Sequence, residues 1–112
     1  MTAIEVWTRV CAVDDLIPGR GVAALLAGDE QVAIFLTPAG AVHALSNVDP
    51  FSGAAVLSRG LVGDLGGVPV VASPMHKQHF DLRTGSCVDD PAVSVAVYPV
   101  RVEDGAILVG PP

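Results

Sequence analysis

The sequence predicts an all-β domain, an antiparallel sandwich or barrel of short strands. Three observations predict it. Apolar residues alternate with other residues at a period of two, turn residues recur between the apolar segments, and no helical pattern reaches average helix length. The 112 residues suit one domain spanning 1–112.

Four strand-like segments are predicted in the first half of the chain: 4–10, 21–26, 31–37 and 41–46. In the first of them, every second residue is apolar or β-branched. Gly28 to Glu30 and Pro38 to Gly40 supply the turns that separate the later segments. A single helical turn near Asp14 to Leu16 is compatible with this arrangement.

The second half of the chain continues the strand pattern at 68–72, at the alternating residues 93, 95 and 97, and at 100–103 and 106–109. Asp104-Gly105 separates the last two segments, and these residue types suit the positive φ angles of a tight hairpin turn. Gly63, Gly66 and Gly67 are assigned to another hairpin.

The composition is apolar for a small protein, because charged residues make up 16% against about 25% in typical domains. A surface covered by a partner and a bias towards Ala, Val and Gly both explain this. The longest uncharged stretch, 31–48, is broken by a Pro-Ala-Gly turn, so we expect no membrane partner. No signal peptide is visible, so a cytoplasmic location is expected.

The formal net charge of −6 and six scattered basic residues argue against a nucleic-acid partner. Cys11 and Cys87 lie far apart and form no metal-type spacing, so we expect them to be small buried residues. No dinucleotide-binding fingerprint and no nucleophile–base pair is visible, so no catalytic residue is assigned.

Two segments do not fit the strand pattern and are expected to be long loops. The first loop covers 47–60, and the second begins at Ser73-Pro74-Met75-His76-Lys77. Each follows an apolar strand, and loops on a rigid β scaffold often carry function.

These two loops resemble the cluster-binding loops of Rieske ferredoxins, which hold a [2Fe–2S] cluster with two Cys and two His. The resemblance includes Phe80-Asp81-Leu82-Arg83-Thr84-Gly85 after the second loop. It implies a Rieske-like (iron–sulfur protein) antiparallel β-sandwich in which both loops are relics of a cluster site.

The positions that correspond to the cluster ligands depart from the Rieske pattern. Asn47 and Asp49 occupy the positions of the first Cys and the first His ligand, and Ser73 occupies the position of the second Cys ligand. His76 is the one match. Because thiolates are missing, we expect no cluster. Side-chain hydrogen bonds to the local backbone and direct contact with a partner are both compatible with these residues. Zinc binding by three His is disfavoured by the ligand count.

A more specific resemblance is to the small subunit of NAD(P)H-dependent assimilatory nitrite reductases. It rests on ordered strings that cover about half of the chain: 46–51, 57–60, 73–78, 89–95 and 98–102. The resemblance implies a non-catalytic subunit without a cofactor of its own. Its implied partner is a large subunit with FAD, [4Fe–4S] and sirohaem that reduces nitrite to ammonium.

The candidate partner contacts lie in or beside the two loops: Phe51, Arg59, Met75, His76 and Lys77. Phe51 and Met75 have two possible roles. They are exposed at an interface, or they fold inward and fill the volume that a cluster would occupy. The basic residues, with Arg83, suit either a positive rim or isolated solvated charges. Two other functions stay open: an electron-carrier ferredoxin of an oxygenase system, and a stand-alone interaction module.

Overall fold

The structure, a computed structural model, describes residues 7–75 and 77–111. Across these residues it forms ten strands: β1 (Thr8–Ala12), β2 (Gly21–Leu25), β3 (Gln31–Leu36), β4 (Val42–Ser46), β5 (Leu61–Leu65), β6 (Val68–Ala72), β7 (His79–Asp81), β8 (Val97–Tyr98), β9 (Val100–Glu103) and β10 (Ala106–Val109). Short 3-10 helices cover Val13–Asp15, Ala27–Asp29 and Leu57–Arg59.

The strands form three antiparallel sheets with the orders β1-β10-β9, β2-β3-β4-β8 and β5-β6-β7. The predicted all-β class and its antiparallel pairing are therefore confirmed. The helical turn expected near Asp14 is the first 3-10 helix. In the described ranges, no helix combines the length and apolar character needed to cross a bilayer.

The four-stranded sheet lies in the middle, because both of its faces are buried. Along β3, Ala33 and Phe35 belong to one core cluster, which includes residues of β6 and β7. Val32 and Ile34, which alternate with them along the strand, belong to a second cluster, which includes Ile107 and Val109 of β10. A strand buried on both faces needs apolar residues at consecutive positions, which explains the uninterrupted apolar run here.

Several predicted strands match the structure within one residue, and two regions differ. The predicted strand 4–10 corresponds to β1 (Thr8–Ala12). The predicted start of this strand at Ile4 lies outside the described residues. Of the alternating residues 93, 95 and 97, only Val97 lies in a strand, the short β8. Cys87 N and Val95 N instead bond to carbonyls within the irregular segment 85–95. Val95 is nevertheless buried in the first core cluster.

Two glycines, Gly105 and Gly60, are required by the local backbone geometry. The hairpin between β9 and β10 has φ of 50° at Asp104 and 77° at Gly105, as predicted for a tight turn. Gly60, at the end of the first loop, packs against the strand that leads into the second. A Cβ at Gly60 would lie 2.3 Å from the carbonyl oxygen of Ala72. Only glycine permits this close approach.

Candidate functional site

The two loops leave neighbouring layers of the fold and meet each other. The first loop (47–60) connects β4 with β5, and the second loop (73–78) connects β6 with β7. The hydroxyl of Ser73 donates a short, buried hydrogen bond to the carboxylate of Asp49. The structure thus brings together two of the positions that the sequence singled out, although 24 residues separate them.

Asn47 closes the first loop. Its side chain is buried, and Nδ2 donates to the carbonyl oxygen of Ala55 at 3.2 Å and to Oε1 of Gln31 at 3.4 Å. Its Oδ1 accepts a hydrogen bond of 2.7 Å from the backbone N–H of Ser58. One amide therefore ties both halves of the first loop to each other and to the start of β3.

Asp49 is fully buried, and hydrogen bonds surround its carboxylate. Oδ1 accepts from the backbone N–H groups of Phe51 at 2.8 Å and Ser52 at 3.4 Å, while Oδ2 accepts from Ser73. The hydroxyl oxygen of Ser73 also accepts from the backbone N–H of Met75 at 3.3 Å. Asx-type turns of this kind organise a loop without a metal.

The second loop is closed by its own backbone. Ser73 N donates to the carbonyl of Gln78, and Lys77 N donates to the carbonyl of Ser73, each at 2.9 Å. Lys77 has a φ of 61°, in the left-handed region. His76, the one residue that matches the Rieske ligand pattern, lies outside the described residues, so its predicted roles stay predictions.

The loop tips present apolar side chains. Phe51 is 38% exposed, and its ring centroid lies 6.2 Å from that of Phe80 in a tilted arrangement. Phe51 therefore has one side against the buried ring of Phe80 and the other side exposed, and its role as a partner contact stays a prediction. Met75 is 48% exposed, and Val48 is also exposed. Because the bond between Ser73 and Asp49 joins the two loops, we refer to these exposed apolar side chains, Val48, Phe51 and Met75, as the loop-tip surface.

The expected positive rim is only partly available. Arg83 pairs with Asp81 at 3.1 Å, and the hydrogen bond from Arg83 lowers the pKa of Asp81. Arg59 and Lys77 are exposed and form no ion pair with any residue in the described ranges. Of these three basic residues, only Arg83 therefore has an acidic partner among residues 7–75 and 77–111.

The donors at these positions do not fit a [2Fe–2S] cluster. Such a cluster needs soft thiolates on one iron, whereas Asn47, Asp49 and Ser73 supply oxygens that other bonds already occupy. Cys87 is buried in the first core cluster, and Cys11 packs against the second, and neither belongs to the first loop (47–60) or the second loop (73–78). The described residues, which leave out His76, contain no group of three potential metal ligands.

Sequence reasoning missed the partners of the singled-out residues. The sequence pattern places Gln31 at the start of the predicted strand 31–37 and Ser58 within the string 57–60, without indicating that either contacts Asn47. No local signal marks them, because their bonds to Asn47 span 16 and 11 residues. Arg20 was also missed, since nothing near it in the chain indicates that it lies beside the first loop.

The chain matches known proteins over nearly its whole length. Residues 6–110 match the family model of the Rieske-like [2Fe-2S] domain. A nitrite reductase (NADH) small subunit from Escherichia coli strain K12 is 49% identical over 102 residues, covering 90% of this chain and 94% of that protein. A Klebsiella oxytoca nitrite reductase [NAD(P)H] large subunit is 43% identical over 104 residues, covering 93% of this chain but 11% of that protein.

Solved structures agree with these sequence matches. A Mycobacterium tuberculosis protein described as an NADH-dependent nitrite reductase small subunit has a TM-score of 0.93 and 59% identity, with 98% of both chains covered. The ferredoxin of carbazole 1,9a-dioxygenase from Nocardioides aromaticivorans IC177 has a TM-score of 0.81 and 30% identity, with 96% and 99% covered. The predicted resemblance is confirmed: this chain belongs to the nitrite reductase small-subunit family, within the Rieske-like [2Fe-2S] domains.

Proposed function

We propose that this chain is the non-catalytic small subunit of an NAD(P)H-dependent nitrite reductase that converts nitrite to ammonium in nitrate assimilation. It acts as one domain and binds a large subunit that carries FAD, a [4Fe–4S] cluster and sirohaem. It holds no cofactor itself. A cytoplasmic location is part of the proposal, since Cys11 and Cys87 are free thiols, as is usual in reducing compartments.

The observation that carries the proposal is the buried hydrogen-bonded group of Asn47, Asp49 and Ser73. A cluster at these positions would need to displace the bond between Ser73 and Asp49 and the amide bonds of Asn47. It would then find oxygen donors in place of thiolates. Hydrogen bonds therefore hold both loops in a defined shape, which suits a binding surface better than electron transfer.

The large subunit as partner is supported by the Klebsiella oxytoca protein. That chain, named as a large subunit, includes a segment similar to 93% of the present chain. Joining two domains in one polypeptide raises their effective concentration and favours a contact that separate chains must form by affinity alone. We infer that the separate small subunit forms a corresponding contact.

The loop-tip surface is the proposed contact region. Phe51 and Met75 expose apolar area there, and aromatic and Met side chains are enriched in interfaces. Arg59 and Lys77 supply positive charge beside it. His76 belongs to the same proposal by its position in the second loop.

The absence of a cluster is tested on the isolated chain purified without oxygen. We expect a colourless protein with substoichiometric iron and sulfide. Stoichiometric iron and sulfide, together with a Rieske-type paramagnetic resonance signal after reduction, would contradict the proposal. That result would make the chain an electron-carrier ferredoxin, a class of protein whose fold it shares.

Partner binding is tested with the holo large subunit of the same organism. The double variant Phe51→Ser/Met75→Ser should weaken binding by about thirtyfold or more, since interface anchors are worth over about 1 kcal/mol each. Val102→Ser is the matched control, because Val102 is 52% exposed on β9, outside both loops. If the unaltered chain does not bind the large subunit, the chain is a separate interaction module and the proposal fails.

A further inference from the structure

A surface groove lies beside the first loop, outside the residues discussed as cluster-ligand positions. It has a volume of about 280 Å³ and is lined by Arg20, Gly21, Ser58, Arg59, Gly60 and Leu61. Two of these six residues are arginines, in a chain of net charge −6 with six basic residues in all.

The walls of the groove are held in place by close backbone packing. A Cβ at Gly21 would lie 2.6 Å from the ring of Phe35, and one at Gly60 would lie 2.3 Å from the carbonyl oxygen of Ala72. The turn before Arg20 is tied to β5 by a hydrogen bond of 3.1 Å from Val62 N to the carbonyl of Gly19. The groove is therefore preformed, which lowers the cost of binding.

The guanidinium groups of the groove have no partner within the described part of the chain. Arg20 and Arg59 are exposed, and neither forms an ion pair or a side-chain hydrogen bond with a residue in 7–75 or 77–111. By contrast, Arg83 bonds to Asp81. A guanidinium matches the geometry of a carboxylate, which it binds through two parallel hydrogen bonds.

Aliphatic side chains stand next to these charges. Leu61, in the groove, is 65% exposed, and Ile17, in the turn that leads to Arg20, is 63% exposed. A free anion would satisfy the arginines but leave Leu61 in water. A peptide segment with an acidic residue flanked by apolar residues would pair with the arginines and also cover Leu61.

The groove is also continuous with the two loops. Ser58 donates its backbone N–H to Asn47 in the first loop. Leu61 pairs with Ala72, which directly precedes Ser73 in the second loop. The groove and the loop-tip surface therefore share the first loop.

We propose that the groove bounded by Arg20 and Arg59 receives an acidic, apolar-flanked segment of the large subunit. This inference rests on the proposed function, because it assigns the same partner a second contact. A second copy of this chain is disfavoured as the occupant, because two chains of net charge −6 repel each other.

The test compares the affinity of the holo large subunit for the intact chain, for Arg20→Glu and for Arg59→Glu. Each reversal should weaken binding about tenfold or more, and the loss should shrink at high salt. Arg9→Glu is the matched control, because Arg9 is an exposed arginine on β1, and we expect less than about a twofold effect. Equal thermal unfolding midpoints show that the variants fold alike.

The outcomes separate this inference from the proposed function. If the intact chain does not bind the large subunit, the proposed function fails. If it binds, and Arg20→Glu and Arg59→Glu bind equally well, the groove and the contact role of Arg59 are refuted, while the proposed function stands. The groove is also refuted if the reversals abolish binding of inorganic phosphate or self-association of the chain while leaving the affinity for the large subunit unchanged. Arg20 lies outside the loop tips, so its reversal reports on the groove alone.

Discussion

Asn47, Asp49 and Ser73 are polar residues, and each is exposed by at most 1%. Burial of a polar group costs free energy unless hydrogen bonds replace those to water. All three residues meet this condition, since each bonds to backbone or to another of the three. At the residue scale, these side chains therefore hold the loops together by hydrogen bonds.

Ser73→Ala tests this interpretation. The substitution removes the one described hydrogen bond that joins Asp49 to the second loop and leaves Oδ2 of a buried carboxylate without that donor. The free energy of unfolding should fall by about 1–3 kcal/mol, measured by urea denaturation. Ser94→Ala is the control, because Ser94 is exposed, and its cost should stay within about 0.5 kcal/mol. Equal effects of the two variants would contradict the role assigned to Ser73.

At the element scale, the loops are positioned by the strands between which they run. The first loop ends at Gly60, whose backbone lies against the last residue of β6. Immediately after that residue the second loop begins. The contact between Gly60 and β6 thus sets the distance between the two loops, and the hydrogen bonds of Asp49 then complete their arrangement.

Gly60→Ala should disturb this contact. Its new methyl group would lie 2.3 Å from the Ala72 carbonyl oxygen and 2.8 Å from Cγ2 of Val71, so the backbone must shift. We expect a loss of about 1–3 kcal/mol in the free energy of unfolding. Gly63→Ala, in β5, is the matched control because a Cβ there meets no atom within 4 Å. A cost for Gly60→Ala no larger than that for Gly63→Ala would show that the close approach is unimportant.

β4 carries a half-buried histidine that makes stability depend on pH. Burial lowers the pKa of His43 below its usual value of 6.5. The charge of Asp81 opposes this effect, and the charge of Arg83 adds a smaller lowering, so burial decides the direction. The unfolded chain therefore takes up a proton first as the pH falls. The stability of the fold should decrease from about pH 6.5 downward and level off below the native pKa.

His43→Gln removes this titration. Urea unfolding over neutral to mildly acidic pH should give a flatter dependence for the variant than for the unaltered chain. Asp81 affects stability in a separate pH range. Because its pKa in the fold is lowered, the stability that the ionised carboxylate contributes is lost only as the pH falls below 3.8. Parallel pH profiles for the variant and the unaltered chain above that range would contradict the assignment to His43.

At the scale of the whole molecule, the central sheet joins the two core clusters. Neighbouring residues of β3 and β4 point into opposite clusters, so neither cluster can lose its order without exposing the sheet that supports the other. The single Trp, Trp7, lies on the side of the second cluster, next to Gly110 and beneath Arg101. Its fluorescence therefore reports on the side of the molecule away from the first cluster.

Leu82→Ala tests this coupling. Leu82 is fully buried in the first cluster, and its truncation should cost about 2–5 kcal/mol. The denaturation midpoint should fall equally by Trp7 fluorescence and by far-ultraviolet circular dichroism, because both clusters unfold together. Val102→Ala, at an exposed position, should leave both midpoints nearly unchanged. Two separated transitions in Leu82→Ala would show that the clusters are independent.

The sequence alone determined the features that depend on neighbouring residues. The period-two segments predicted most strands, Asp104-Gly105 predicted its hairpin, and the loop motifs predicted the family. The loss of cluster ligands at Asn47, Asp49 and Ser73 was also visible in the chain. β5 was not predicted as a strand, because its ends, Leu61 and Leu65, are exposed and Gly63 weakens the pattern.

Only the tertiary structure decided which distant residues meet. The bond between Asp49 and Ser73, the bond between Asn47 and Gln31, and the groove shared by Arg20 and Arg59 all join separate parts of the chain. Local patterns reflect which face of a strand is buried, and they contain no information about which loop lies opposite. The packing of three sheets on two cores supplies that information, because it brings the ends of β4 and β6 together.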